Sequence, residues 1–188
     1  MLRRSVPELD RQPVLEGEQL LLRPLHPDDW DALFAVASDP EIWAIHPQPN
    51  RWQEPVFRQF FADAIERGGA LTVIDRASGA VIGSSQFKPM DPAAGGSVEI
   101  GWTYLARSHW GGSCNREMKR LMLAHALSSV ARVEFRVGEC NLRSRRAMEK
   151  IGGALSGRID MVDTPSGPMR HVIYEITRES FTNGPLSL

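Results

Sequence analysis

The chain's clearest chemical candidate is a short polar turn between a predicted strand and a predicted long helix. The strand runs from Ser97 to Leu105, the turn reads Trp-Gly-Gly-Ser-Cys-Asn over residues 110–115, and the helix continues to about Ala126. The first turn of a helix leaves backbone N–H groups without partners, and the helix dipole is positive there, so such a turn can bind an anion such as phosphate. We interpret it as the holder of a cofactor's pyrophosphate, with the strand before it positioning the chemistry.

Other nucleophilic and metal-binding residue types give weaker signals. Cys114 lies in the turn, where a helix N-terminus can lower the pKa of a thiol. No Cys–His pair is evident in the sequence, so we expect Cys114 and Cys140 to be small packing residues. The five histidines lack metal-ligand spacing, and no metal site is predicted. His125 falls in an apolar helical run and is expected in the core.

These residues must be positioned by a sheet with helices around it. The patterns predict the order β, α, α, β, β, β, α, β, α, β, β, in which hairpins mix with strands joined through helices. This order favours an α/β (mixed α+β) fold, a single domain with a mixed sheet flanked by helices. We expect a polar, loose N-terminal arm over 1–17, the domain over 18–179 and a polar, frayed C-terminal tail over 180–188.

The least regular part of the first half is the loop over residues 41–53. It carries Trp43, His46 and Trp52 together with prolines. Aromatic side chains on such a loop either wall an acceptor pocket or seal one end of the core, and the sequence leaves both open. His46 is a candidate for the acceptor side.

Composition limits the function classes. The 188 residues are 42% hydrophobic and 24% charged, with a net charge of −1. Nothing in this balance points to nucleic acid, no apolar run is long enough to span a bilayer, and residues 1–10 do not resemble an export signal. Two unpaired cysteines are typical of a reducing compartment. We therefore expect a cytoplasmic protein without nucleic-acid or membrane partners.

Four stretches resemble the GNAT superfamily of acyl-CoA-dependent acetyltransferases, and its RimJ/RimL branch in particular. They are Leu-Leu-Arg-Pro-Leu-His-Pro-Asp-Asp-Trp (21–30), Glu-Ile-Gly-Trp (99–102), Trp-Gly-Gly-Ser-Cys-Asn-Arg-Glu (110–117), and Asn-Leu-Arg-Ser (141–144) followed by Met-Glu-Lys-Ile-Gly (148–152). The likeness covers about residues 15–180. It implies a mostly antiparallel sheet whose two central parallel strands splay apart to admit the pantetheine of acetyl-CoA, the cosubstrate.

The resemblance also implies a set of cofactor-binding residues. The backbone of one splayed strand would pair with the pantetheine, the turn would hold the pyrophosphate, and the segment from Asn141 would order the cofactor. The set is Trp102, Thr103, Tyr104, Leu105, His109, Trp110, Gly111, Gly112, Ser113, Cys114, Asn115, Asn141, Ser144 and Arg145. Arg145, like its neighbouring arginines, either reaches the phosphates or forms a solvated basic face.

Two positions depart from the family's turn. The usual turn begins with glutamine or arginine where this chain has Ser108, and it ends in glycine or alanine where this chain has Ser113. A glycine at such a turn permits a positive φ and close approach of the backbone to phosphate. Because serine is small and its hydroxyl can donate a hydrogen bond, we expect binding to survive.

Two residues are the catalytic candidates. Acetyl transfer requires an amine to lose a proton and a leaving thiolate to be stabilised or protonated. Glu99 is the first candidate for the base, directly or through water, with Glu134 as a weaker rival; the alternative for Glu99 is an ordinary ion-pair role on the sheet. Ser144 matches the serine that RimL-type enzymes are thought to use at the thiolate, although it could equally be a helix-start residue. The RimI-type catalytic positions align with Arg136 and Met148, so that mechanism does not transfer.

Two functions from different classes remain. The first is an acetyl-CoA-dependent N-acetyltransferase acting on a primary amine, either a protein N-terminus or a small molecule, by direct attack in a ternary complex. The second is an acyl-CoA sensor or scaffold that has the fold but little catalysis. A nucleotide-binding protein without CoA is disfavoured, since neither Gly-x-Gly-x-x-Gly nor a P-loop is present. Because relatives are often dimers, the resemblance favours a homodimer.

Overall fold

A computed structural model of the chain describes residues 8–164 and 167–187. The strands are β1 Leu15–Glu16, β2 Leu20–Pro24, β3 Ala70–Asp75, β4 Val81–Phe87, β5 Ser97–Leu105, β6 Arg132–Gly138, β7 Ala154–Thr164 and β8 Gly167–Thr177. The helices are α1 Trp30–Ala37, α2 Glu54–Arg67, α3 Cys114–Ser129, α4 Leu142–Lys150 and α5 Arg178–Thr182. No helix within these described ranges has the length and apolar character needed to cross a membrane.

All eight strands form one sheet in the order β1-β2-β3-β4-β5-β6-β8-β7. Every neighbouring pair is antiparallel except β5 and β6, which are parallel. Their register contains three pairs, Ser97 with Arg132, Val98 with Val133 and Glu99 with Glu134, and beyond Glu99 the two strands are no longer paired. The predicted single-domain mixed sheet with splayed parallel strands is therefore confirmed.

A bulge in β5 changes which side chains face each side of the sheet. Opposite Ser84 and Gln86 of β4 lie Tyr104 and Gly101, so β5 has one residue more than β4 over this stretch. Trp102 takes up the extra residue with a φ of 49°, a left-handed value that costs a non-glycine residue energy and marks a bulge. The side chains of β5 after Trp102 consequently point to the opposite faces of the sheet from those that simple alternation would give.

The two faces of the sheet are covered by different helices. Met118, Met122 and Leu123 of α3 are fully buried and pack with Val98 and Ile100 of β5 in the larger core cluster. The opposite face carries α1 and α2 and a second, aromatic-rich cluster that includes Trp43, Phe57 and Tyr104. These two apolar layers fix β5 and α3, the two elements between which the predicted cofactor turn lies.

The ends of the described chain are more firmly packed than the sequence predicts. In the arm, Leu9 is buried in the main core and Leu15–Glu16 pairs with β2. At the C-terminal end, the side chains of Thr177 and Ser180 form a capping box at the start of α5, and Leu186 is buried. His125 is half-buried rather than fully in the core, because its Nε2 lies 2.7 Å from the carbonyl oxygen of Asp10 and ties the arm to α3. The polar composition of both ends predicts loose segments, because it gives no sign of contacts that form only in the folded chain.

Candidate active site

The candidate site is the gap that opens where β5 and β6 part. From Ile100 to Leu105, β5 is paired only on its β4 side, so its other edge offers unpaired backbone groups. An extended chain can bind such an edge as an added strand. Trp102, Thr103, Tyr104 and Leu105, the residues predicted to bind the pantetheine, all lie on this stretch.

The predicted phosphate turn lies at the far end of the same strand. Within the described residues, none of the backbone N–H groups from Gly111 to Arg116 is bonded to an acceptor, and the first helical bond runs from Glu117 N to Ser113 O. Gly111 has a φ of 72°, and a Cβ at either Gly111 or Gly112 would meet no atom within 4 Å. The backbone there is open to an approaching anion, as a phosphate site requires.

The serine that replaces the family's glycine fits its position without strain. Ser113 has a φ of −80° and a ψ of −16°, a helical conformation that any residue adopts. Its hydroxyl donates to Oε1 of Gln19 over 2.7 Å. The left-handed residue of this turn is Gly111, so the requirement for glycine falls there and not at Ser113.

The other residues of the turn have distinct environments. Trp110 donates its indole N–H to the carbonyl oxygen of Leu105 over 2.9 Å, and the guanidinium of Arg143 lies 4.3 Å from its ring centroid. His109 Nδ1 lies 2.9 Å from Ser108 Oγ. Burial raises the pKa of the Cys114 thiol and outweighs the lowering by the backbone N–H at the helix start, so the thiol is protonated at neutral pH. Cys114 packs against the main core cluster, as expected, whereas Cys140 is exposed.

Glu99 lies at the mouth of the gap, where the pairing of β5 and β6 ends. Its side chain is 13% exposed and is held between two cations: Lys88 Nζ lies 2.6 Å from Oε1, and Arg136 Nη2 lies 3.7 Å from Oε2. Arg136 also pairs with Asp160 at 2.9 Å. The carboxylate is thus beside the gap, in the ion-pair role that the sequence left as its alternative, and its use as a base remains a prediction.

The Asn141–Ser144 segment forms the start of α4. Asn141 is buried, and its Oδ1 accepts a hydrogen bond from the Ser144 backbone N–H, which makes Asn141 the N-cap. The Ser144 hydroxyl makes no hydrogen bond to any described residue, so it is not used as a cap. Arg145 donates to the Tyr174 hydroxyl and the Glu139 carbonyl and is thereby held against the sheet. Met148, at a RimI-type position, is buried in the core.

Sequence reasoning gave no role to one buried amine of this site. Lys119 on α3 is 2% exposed, and burial lowers the pKa of its ammonium to about 7. Its Nζ donates to Thr103 Oγ1 over 2.7 Å and to Ser85 Oγ over 3.4 Å, and lies 5.6 Å from the ring of Phe135 on β6. The amine therefore lies on the α3 face of the sheet, against side chains of β4, β5 and β6. The signal was available: Lys119 precedes buried Met122, Leu123 and Ala126 by three, four and seven residues.

The loop over residues 41–53 closes the wide end of the gap on the α1–α2 face. Trp43 is buried against Tyr104 of β5, with ring centroids 5.3 Å apart. At the end of β6, a Cβ on Gly138 would lie 3.0 Å from Cγ of Pro47. The loop thus seals the core through Trp43 and also bridges the two splayed strands, while the interpretation of its aromatics as the wall of an acceptor pocket stays a prediction.

His46 is the histidine of this loop, and its side chain is half-buried. Its Nδ1 accepts the Gln48 backbone N–H at 2.9 Å, which leaves the proton of the neutral ring on Nε2. Burial, followed by the charges of Arg51 and Arg143, lowers the pKa of His46 to about 3. The ring is neutral at physiological pH, and because the nitrogen free of a proton is already occupied, His46 is unsuited to act as a base.

Comparisons with known proteins agree with this arrangement. A family model described as "Acetyltransferase (GNAT) domain" matches residues 19–154. A search of curated proteins gives no match. Among solved structures, a GCN5-related N-acetyltransferase from Brucella melitensis superposes with a TM-score of 0.79 at 23% identity, covering 94% of this chain and 82% of that one.

Two further structures were solved with CoA species. Mycobacterium smegmatis RimJ in complex with CoA-disulfide has a TM-score of 0.70 at 18% identity, covering 89% of this chain and 86% of that one. Spermidine N-acetyltransferase from Vibrio cholerae, in complex with CoA and spermine, has a TM-score of 0.67 at 16% identity, covering 89% of this chain and 100% of that one. At these identities the likeness concerns the fold.

Proposed function

Because the chain belongs to the acetyltransferase (GNAT) family and is an acetyl-CoA-dependent N-acetyltransferase, we propose that it acetylates a primary amine delivered from the sheet face that carries α1 and α2. The pantetheine of acetyl-CoA would pair with the free edge of β5, and its pyrophosphate would bind at the start of α3. The acceptor would approach under the 41–53 loop, next to Glu99.

One observation carries this proposal: two features that suit acetyl-CoA, a free strand edge and a group of free backbone N–H groups, follow each other closely along the chain. The unpaired edge of β5 ends at Leu105, and the N–H groups without acceptors begin six residues later, at Gly111. The first feature suits an extended amide-containing chain and the second suits a diphosphate. Open space beside Gly111 and Gly112 leaves room for the anion.

The chemistry assigns separate tasks to Glu99 and Ser144. The amine nitrogen attacks the thioester carbonyl carbon, a C–N bond forms and the C–S bond breaks, while one proton leaves the nitrogen and one reaches the sulfur. Glu99, directly or through a water, would take the first proton. The Ser144 hydroxyl, free of other partners among the described residues, would donate to the thiolate. A backbone N–H near Trp102 would polarise the carbonyl oxygen.

The proposal also concerns which class of amine is the acceptor. RimJ/RimL-like activity would direct the enzyme to protein N-termini, and the superposition on the M. smegmatis RimJ supports that candidate. The superposition on a spermidine N-acetyltransferase supports a small amine instead. A homodimer and a cytoplasmic location complete the proposal; the homodimer rests on the family likeness and the location on the two unpaired cysteines, and sedimentation analysis would test the first.

An acceptor screen tests the function. The protein is mixed with acetyl-CoA and a panel of N-terminal peptides, polyamines, amino acids and amino-acid amides, and thiol release is followed together with the acetylated product by mass spectrometry. We expect release that depends on one acceptor class and yields its N-acetyl product. Binding of acetyl-CoA without release in the presence of any acceptor would favour the sensor or scaffold and contradict the enzyme.

A further inference from the structure

Arg51 is a buried arginine without a carboxylate partner. It is 9% exposed, and its Nη1 has no hydrogen-bond partner among the described residues. The guanidinium instead lies 4.3 Å from the ring centroid of Phe60 and 5.2 Å from that of Trp43. A buried charge is costly unless it is paired, so an orphaned guanidinium in this position calls for an explanation other than stability.

The electrostatic surroundings of Arg51 also lack a described carboxylate. After burial, its pKa responds first to Tyr104, which raises it, and then to Arg67, another cation, which lowers it. Arg51 in turn acts with Arg143 on half-buried His46. None of the described carboxylates lies within 4 Å of Arg51. Burial lowers the pKa of Arg51 to about 10, which still leaves it charged at neutral pH.

A second buried side chain on the same face is unpartnered. Gln86 is 1% exposed, and neither its Oε1 nor its Nε2 finds a partner among the described residues. It pairs across the sheet with Ala70, which belongs to the aromatic-rich cluster on the α1–α2 face, so Gln86 points to that face as well. Buried amides are nearly always hydrogen-bonded, so Gln86 adds an unpartnered amide to the unpartnered cation on this face of the sheet.

Two contacts relate this face to the place where the acetyl group would be transferred. Arg67, the cation that acts on Arg51, lies over the ring of Trp102 at 4.6 Å. Gln86 is the direct cross-strand partner of Gly101, the residue before Trp102. Gln86 therefore lies beside the β5 bulge, and Arg51 lies on the same face of the sheet, on the loop that would cover the acceptor.

We propose that Arg51 and Gln86 form a subsite for a carboxylate carried by the acceptor, so that the substrate is a small amine that is also a carboxylic acid, of the amino-acid class. A planar guanidinium binds a carboxylate through charge-assisted hydrogen bonds, and the amide of Gln86 supplies a neutral donor and acceptor beside it. The rings of Trp43 and Phe60 exclude water from the cation and so strengthen the interaction. This inference rests on the proposed function, since it names the acceptor of that reaction.

A matched substrate comparison measures the carboxylate's contribution. The twenty amino acids and the twenty corresponding amides are compared by kcat/KM with acetyl-CoA. We expect the best amino acid to exceed its own amide by about tenfold or more, because a buried charge-assisted hydrogen bond discriminates to that extent. In Arg51→Gln the ratio should fall close to one. Arg58→Gln is the control, since Arg58 also stacks on an aromatic ring of this cluster, 4.1 Å from Trp30, but is exposed and paired with Glu54.

A binding measurement separates this subsite from the proposed catalysis. The melting temperature of the wild type and of Arg51→Gln is measured with CoA and with N-acetyl amino acids or N-acetyl amino-acid amides, the products of the two reactions. Larger stabilisation by the acids in the wild type, lost in Arg51→Gln, supports the subsite even if no amine is turned over. Amides that bind or react as well as the acids, or a preference for acids that survives in Arg51→Gln, would overturn it. An enzyme that instead prefers N-terminal peptides with amidated ends would do the same.

Discussion

Glu99 and Glu134 face each other across β5 and β6 at the last register position before these parallel strands separate. Each carboxylate is held by cations, Glu99 by Lys88 and Arg136 and Glu134 by Arg132 and Arg158. Two like charges placed side by side would repel, and the four cations offset that repulsion. The separation of the strands therefore begins at a compensated charge cluster, and the proposed base is one of its members.

Glu99→Gln is expected to lower kcat by roughly 10²–10⁴-fold, the usual contribution of a general base, with little change in acetyl-CoA binding. Glu134→Gln is the matched variant, because it removes a carboxylate of similar exposure and ion pairing from the same register position. Steady-state kinetics on both variants distinguish the roles. Equal, modest losses would make Glu99 an ion-pair residue, and a large loss in Glu134→Gln alone would move the base to Glu134.

Ser144→Ala is expected to lower kcat at least about tenfold if the hydroxyl serves the leaving thiolate. Its stability should change by less than about 0.5 kcal/mol, since the Ser144 backbone N–H, not its hydroxyl, takes part in the cap. Asn141→Ala provides the contrast: loss of the N-cap should cost about 1 kcal/mol. Kinetics and chemical denaturation are measured on both. Full activity in Ser144→Ala would remove it from the mechanism.

His46 is expected to make the fold sensitive to acid. Its folded pKa of about 3 lies below the ordinary 6.5, so below pH 6.5 the unfolded chain binds a proton that the folded chain does not. The stabilisation is complete above pH 6.5 and is lost as the pH falls towards 3, by about 1.4 kcal/mol per unit. Urea denaturation across this range should show a shallower loss in His46→Gln than in the wild type. The same slope in both would contradict the assignment.

Lys119 is expected to make the stability of the fold rise with pH between about 7 and 10.5. Its folded pKa of about 7 lies below 10.5, so between these values the unfolded chain alone holds the proton, and stability rises with pH by about 1.4 kcal/mol per unit. Lys119→Met should remove this slope and be more stable at pH 7 by about 1–4 kcal/mol, since Ser85 and Thr103 still pair with each other at 2.8 Å. Denaturation at pH 7 and pH 9 measures both effects. A variant less stable than the wild type at pH 7 with an unchanged slope would refute this.

The parts of the molecule that local patterns govern could be predicted from the sequence. Apolar periodicity fixed the alternation of strands and helices, and helix-start chemistry located the turn before α3. The bulge at Trp102 could not be predicted, because it depends on how β5 registers with β4, and nothing local distinguishes Trp102 from its neighbours.

The buried polar residues escaped prediction for a different reason. Arg51, Gln86 and Lys119 belong to residue types that usually face solvent, and each is buried by elements distant in sequence. Their roles depend on which side chains surround them after folding. Leu9 and Leu186 are covered in the same way, by the core that the rest of the chain builds.

The most direct test of the central claim is whether the turn before α3 binds acetyl-CoA. At saturating acetyl-CoA, about 100 times Kd, the wild type should melt on the order of 5–10 °C higher, because a ligand specific to the folded state stabilises it by about 2.7 kcal/mol. Ser113→Glu should fold normally, since residue 113 is exposed and helical, yet lose this shift by placing a negative charge against the pyrophosphate. Ser113→Gln, of the same size but uncharged, should keep most of it. No shift in the wild type, or an undiminished shift in Ser113→Glu, would contradict the account.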